Sequence, residues 1–253
     1  MPEKLKEVML LKEWIRHFGI RGILFDLDGT VLDTPKTFKN AVANYISFVT
    51  NLNPDLKKDQ VGETLKKVDD ELRTTFAVSP KRWPFVATTL AEIYGERTRK
   101  AFVGGLPILM DIYQTAPDPL PGGLATLATF RQATDNLGVI TNASEEWTDL
   151  KLRVSGISQI FKHKIIVPET TLKKKEHWQS GVRRINCLPH EVLAIGDDLE
   201  RDIGPAHEAG IRYKIHILNG SPYWRGREAG VLPPETIQIN GIGKVVETLI
   251  GTL

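Results

Sequence analysis

Ile23-Leu24-Phe25-Asp26-Leu27-Asp28-Gly29-Thr30-Val31-Leu32-Asp33 decides how the rest of the chain is read. Three apolar residues run into two carboxylates one residue apart, and glycine and threonine follow at once. The apolar run reads as a buried strand. In extended backbone residues i and i+2 point to the same side, so Asp26 and Asp28 face one spot and Leu27 turns away into the core. Two close carboxylates repel, and one of them should have a raised pKa. Packing gives no reason for such a pair, but a hard dication does. Mg2+ takes oxygen ligands, usually one or two carboxylates with water and phosphate oxygens. Gly29 lets the backbone bend closely past a ligand.

Three later runs share this form, apolar and then abruptly polar or small: LGVITNAS (137–144), HKIIVPET (163–170) and EVLAIGDDLERD (191–202). Helical patterns lie between and after them, at Gly123–Ala133, Trp147–Ser155, Glu176–Ile185 and Arg201–Ala209, and YKIHIL (213–218) reads as a fifth strand. Short buried runs alternating with helices predict a parallel sheet with right-handed crossovers. Ligands collect at the carboxyl ends of the strands in such sheets, where all four polar run ends fall. Residues 36–117 break the rhythm with long helical patterns at Phe38–Thr50, Asp59–Phe76 and Trp83–Phe102. PDPLPGG (117–123) then punctuates a return to the α/β pattern. The expected architecture is α/β: a parallel-sheet core over residues 1–35 and 116–253, and a helical insert over 36–115 above the carboxyl ends. The amphipathic stretch at 3–18, stopped by Gly19, reads as a leading helix packed on the core.

Composition narrows the functional classes. The 253 residues are 41% apolar and 25% charged with a net charge of +2, so nothing marks the chain as a nucleic-acid binder. No stretch approaches the roughly 20 apolar residues of a membrane helix. A single cysteine, Cys187, allows no disulfide within the chain and suits a reducing cytosol. The expectation is a cytoplasmic protein, a monomer or, through its leading helix, a homodimer.

The strand ends supply complementary chemistry. Thr141 and Asn142 offer hydroxyl, amide and backbone donors near the start of a helix, which suits a phosphate oxygen. One of Lys173, Lys174 and Lys175 can neutralise phosphate charge. Asp197 is placed as a further metal ligand, Asp202 could brace the site from behind, and Asp198 reads as a helix N-cap. Together these allow phosphoryl transfer. One Asp attacks phosphorus, Mg2+ and Lys neutralise charge, and the second Asp protonates the leaving oxygen and then activates water. Metal binding would keep Asp26 ionised while Asp28 stays protonated.

DLDGT (26–30), TN (141–142), a lysine at 173–175 and GDDLERD (196–202), in that order, resemble the motifs of the haloacid dehalogenase superfamily on its phosphatase branch. The resemblance covers about residues 20–35 and 117–250, and the insert lies where that family carries a helical cap. It implies a Rossmann-like core, Mg2+, an aspartyl phosphate and a small phosphorylated metabolite as substrate. Asp26 resembles the nucleophile and a metal ligand. Asp28 resembles the general acid/base with its carbonyl on the metal, Thr141 the phosphate-binding hydroxyl, and Asp197 a metal ligand. LKKKEHW (172–178) lacks the proline that usually follows the family's lysine; Lys173 is chosen, with Lys174 and Lys175 open. Dehalogenases lack the second Asp, so Asp28 argues against that branch. A phosphotransferase or mutase of the same superfamily stays open, and a non-catalytic receiver-like module is a more distant rival. The insert carries twelve Lys/Arg and nine Asp/Glu over 36–117, and Lys81 or Arg82 could meet an anionic substrate.

Overall fold

In this computed structural model, residues 3–218 and 230–253 are described. The core alternates strands and helices: α1 (Glu3–His17), β1 (Gly22–Phe25), α7 (Gly123–Ala133), β2 (Leu137–Asn142), α8 (Glu145–Val154), β3 (His163–Val167), α9 (Lys175–Arg184), β4 (Val192–Gly196), α10 (Gly204–Glu208), β5 (Tyr213–Leu218), β6 (Thr236–Asn240) and α11 (Val245–Ile250). Between β1 and α7 run α2 (Thr34–Leu52), α3 (Lys58–Phe76), α4 (Arg82–Tyr94), α5 (Arg99–Gly104) and α6 (Leu106–Met110).

The six strands form one parallel sheet in the order β3-β2-β1-β4-β5-β6. β1 is central, with Phe25 opposite Val139 on one side and Ile195 on the other. Every residue of β1 is buried, as a strand covered on both faces requires. Its side chains alternate between two cores. Ile23 and Phe25 join Leu11, Trp14 and Phe130 beneath α1, α7 and α11, while Leu24 joins Ile140, Trp178 and Val182 beneath α9. Leu27 is buried in the first of these cores, so Asp26 and Asp28 are turned from it by the period of the strand. The chain reverses direction across the sheet between β1 and β4, and that switch point opens a crevice at the carboxyl ends. Asp26 leaves β1 and Asp197 leaves β4 at this place.

Three expectations meet physical corrections. The helical pattern at 83–102 is broken: Gly95, at φ 93°, ends α4, and a single tight turn (Glu96–Thr98) precedes α5. The pattern at 201–209 divides into a wide turn over Leu199–Ile203 and then α10. A sixth strand, TIQIN, pairs with β5; its alternation of polar and apolar residues carries no continuous apolar run.

Residues 34–114 hold helices and short connections and no strand, and bury an apolar cluster of their own around Phe38, Tyr45, Val49, Trp83, Leu90 and Phe102. Ala143 and Trp147, from the start of α8, complete it. Arg82 belongs to this interior. It is 1% exposed, and its guanidinium donates to Asp69 Oδ1 at 2.6 Å, to the carbonyls of Val78 and Ser79, and to the Tyr113 hydroxyl. A buried guanidinium so engaged supports the helices and is not offered to a substrate. The two connections to the core lie side by side, with Asp33 N donating to Asp118 O (2.7 Å) and Leu120 N to Val31 O (2.8 Å). No helix among the described residues is long and apolar enough to cross a membrane.

Candidate active site

Asp26 follows β1 at the floor of the crevice and is 2% exposed. Thr30 Oγ1 stands 2.8 Å from Asp26 Oδ2 and 3.3 Å from Asp197 Oδ1, bridging the ends of β1 and β4. Gly29, at φ 91°, makes the approach possible, because a Cβ there would collide with the Asp197 carboxylate. Asp202 reaches the same place from the wide turn after β4, its Oδ2 accepting from Asp198 N (3.1 Å). Carboxylate oxygens of Asp26, Asp197 and Asp202 all lie within 4.8 Å of one another. Asp198 caps the turn instead, accepting from Glu200 N and Arg201 N. His216 on β5 stands 3.0 Å from the Asp197 carbonyl through Nε2. A carbonyl only accepts, so this nitrogen carries the proton and Nδ1 accepts from Gln238.

Of the lysine triplet, only Lys173 is buried, and it forms ion pairs with both Asp26 and Asp202. Burial works against its charge, but Asp202 and Asp26 outweigh that and raise its pKa. Burial raises Asp26 and Asp202 above ordinary carboxylates despite the lysine, and nearby carboxylates add to the rise, Asp28 for Asp26 and both Asp26 and Asp198 for Asp202. Three carboxylates so close together form an all-oxygen set, which fits a hard dication of the Mg2+ kind.

Asp28 has separate partners. Lys151 Nζ lies 2.8 and 2.7 Å from its two oxygens. Thr34 Oγ1 donates to Oδ1 at 2.5 Å and Thr141 Oγ1 to Oδ2 at 2.9 Å. Burial would raise its pKa, but Lys151 and the two threonine hydroxyls hold it below the ordinary value. With these contacts the Asp28 carboxyl group lies outside the acidic cluster. The reason is Lys151, whose place on α8 the sequence reading passed over as part of a helical pattern. The signal was its spacing: four residues after Trp147 puts it on the same, inward helix face. Asn142 donates to the carbonyls of Val167 and Pro168, tying the end of β2 to the loop that leads to Lys173.

These groups line a cavity of about 70 Å3. Its floor is Asp26, Lys173 and Asp197, and Phe38, Val78 and Trp147 form apolar walls. Helical-insert and core loops are joined beside it. Val78 N donates to Glu169 O and Ser79 Oγ to Glu169 Oε1, both at 3.1 Å.

The sequence model of a family described as haloacid dehalogenase-like hydrolase matches residues 23–215. Among curated proteins, the chain is similar to a glyceraldehyde 3-phosphate phosphatase of Methanopyrus kandleri, 26% identical over 76% of this chain and 82% of that one. It is also similar to a pyrophosphatase PpaX of Oceanobacillus iheyensis, 25% identical over 77% of this chain and 82% of that protein. Among solved structures, a haloacid dehalogenase-like hydrolase from Xanthomonas campestris superposes with a TM-score of 0.68 at 17% identity, over 92% of this chain and 93% of its own. The HAD-hydrolase YfnB from Bacillus subtilis, bound to magnesium, gives 0.64 at 20% identity over 91% and 98%.

Proposed function

The chain belongs to the haloacid dehalogenase-like hydrolase family, and from that premise we propose that it is a Mg2+-dependent phosphatase acting on a small phosphorylated metabolite through an aspartyl phosphate. The observation that carries this reading is the convergence of Asp26, Asp197, Asp202 and Lys173 on one point at the switch of the sheet. Asp26 and Asp197 would hold the metal through their carboxylates and Asp28 through its backbone carbonyl, with Asp202 able to take part. Bound there, Mg2+ would neutralise charge on the transferring phosphoryl group.

Asp26 is the nucleophile in this reading, oriented by Thr30 and Lys173. The Asp26 oxygen bonds to phosphorus as the bond to the leaving oxygen breaks, and Asp28 supplies the leaving oxygen's proton. Deprotonated Asp28 then takes a proton from water, which attacks the phosphorus and frees Asp26. Thr141, Asn142 and Lys173 receive the phosphate oxygens. The helices over 36–115 act as a cap that excludes bulk water and bounds the leaving group.

The cap walls favour a short substrate. Phe38, Val78 and Trp147 leave room for a few carbons, and Arg82 is committed to Asp69. Curated relatives are named as glyceraldehyde 3-phosphate phosphatases and as pyrophosphatases. The apolar walls of Phe38, Val78 and Trp147 favour the short carbon chain of a triose phosphate over pyrophosphate. The reading includes a cytoplasmic location, a monomer or homodimer, and no nucleic-acid or membrane partner. The test is phosphate release from glyceraldehyde 3-phosphate and from pyrophosphate, with Mg2+ or with EDTA. Hydrolysis of the triose phosphate only with Mg2+, lost in Asp26→Asn, is the expected result. Phosphoryl transfer to an added sugar without free phosphate would replace the hydrolase by a transferase.

A further inference from the structure

The turn that joins α3 to α4 is held in an unfavourable backbone shape. Ala77, which ends α3, has φ 49° and ψ −120°, a conformation that glycine adopts freely and an L side chain resists. Such strain persists only where the surroundings over-determine it. Ala77 N donates to Arg73 O and Ser79 N to Phe76 O, both at 3.0 Å. Arg82 Nη1 donates to Val78 O and Ser79 O, each at 3.0 Å. Glu169, from the loop after β3, accepts from Val78 N on its carbonyl and from the Ser79 hydroxyl on its carboxylate, both at 3.1 Å. The turn is tied to both of its helices and to the core at once.

Val78 stands in the middle of this turn and lines the cavity that has Asp26 and Lys173 at its floor. Its backbone N and O are both spent, on Glu169 and on Arg82, so the branched side chain is what it offers the cavity. Phe38 and Trp147, the other apolar walls, also pack in the insert's own apolar cluster, and Val78 does not. The first two carry part of the fold, whereas the Val78 side chain is left to the cavity. A plain connection between two helices has no need of a strained residue.

We propose that Val78 is a specificity-determining residue of the site, a fixed stop whose methyl groups limit the carbon chain that a phosphate ester can carry. The inference rests on the phosphatase reading and narrows its substrate class to short esters. With the phosphate at Asp26 and Lys173, the carbon chain lies between Phe38, Val78 and Trp147. The cavity holds about 70 Å3, so each further carbon presses on a wall. A side chain on a free loop would move aside, and a longer ester would enter. On a turn tied at its backbone groups Val78 does not retreat, and the longer ester is refused by collision.

The experiment measures kcat/KM, in Mg2+, on glycolaldehyde phosphate, glyceraldehyde 3-phosphate and erythrose 4-phosphate, a series of open chains that grows by one carbon at a time. The proteins are the parent, Val78→Ala and Val78→Leu. Val78→Ala should raise the ratio of erythrose 4-phosphate to glyceraldehyde 3-phosphate by about 10-fold, the scale of a methylene or two in an apolar pocket. Val78→Leu should move the preference the other way, raising the ratio of glycolaldehyde phosphate to glyceraldehyde 3-phosphate by about 10-fold. Each ratio comes from one preparation, so partial unfolding cancels. A variant whose ratio stays within about twofold of the parent would overturn the proposal and leave the phosphatase reading standing. A parent inactive on all three esters would overturn that reading and the proposal with it.

Discussion

Two buried charge networks, one at the sheet edge and one inside the helical insert, use the same residue types to opposite ends. At the edge, Lys173 pairs with Asp26 and Asp202, Asp197 lies close to both carboxylates, and the group opens on a cavity. In the insert, one carboxylate, Asp69, receives both Arg82 and Arg73, and the spare guanidinium donors of Arg82 go to Val78 O, Ser79 O and the Tyr113 hydroxyl. The first network brings three carboxylates together and faces space. The second has its anion doubly paired and sits in a closed core. Burial of charge does not by itself mark a site; converging carboxylates beside room for a ligand do.

The comparison can be broken in four ways. The largest effect belongs to the edge. Asp26→Asn should lower phosphate release by more than about 1000-fold, roughly 4 kcal/mol on the barrier. It should not lower the melting temperature, since it removes one of three crowded charges. A clear fall in Tm with it would mean that the cluster is structural, like that of the insert. Asp69→Ala should do the reverse. It strands a buried guanidinium and should cost about 3–4 kcal/mol of stability by chemical denaturation, while activity per folded molecule stays within about tenfold of the parent.

Metal sharpens the contrast. Mg2+ at about 100 times its Kd should stabilise the protein by about 2.7 kcal/mol against denaturant. Asp197→Asn should lose most of that gain, and Asp69→Asn should keep it. Equal gains in all three proteins would move the cation away from the crevice. The smallest effect lies where the two regions meet. Ser79→Ala removes the bond to Glu169 and should cost about 1 kcal/mol, read from denaturation midpoints. A loss several times larger would show that this contact holds the insert onto the core.

Much of the core was legible because a parallel sheet writes itself plainly. The run Ile23–Phe25 is continuous and apolar because both of its faces are covered, and the two acids follow where the sheet ends. The same logic located Thr141, the lysines at 173–175 and Asp197 at one edge, though they are far apart in sequence. β6 was not legible, because Thr236, Gln238 and Asn240 interrupt the apolar signal at the sheet margin. The break at Gly95 was read through, since the apolar spacing continues on either side of it. Arg82 looked like a surface cation for substrate, and only the packing of α3 against α4 shows Asp69 reaching it.

The sequence alone determined the alternation of strands and helices in the core, the helical insert and the acids at the strand ends, because strand period and alternation of strands with helices are local properties. The tertiary structure decided which charges meet. Lys173 rather than Lys174 or Lys175 turns inward at the start of α9, and Lys151 reaches Asp28 across 123 positions of chain. That choice depends on the rotation of each helix about its axis as it packs on the sheet, and many distant side chains set it together.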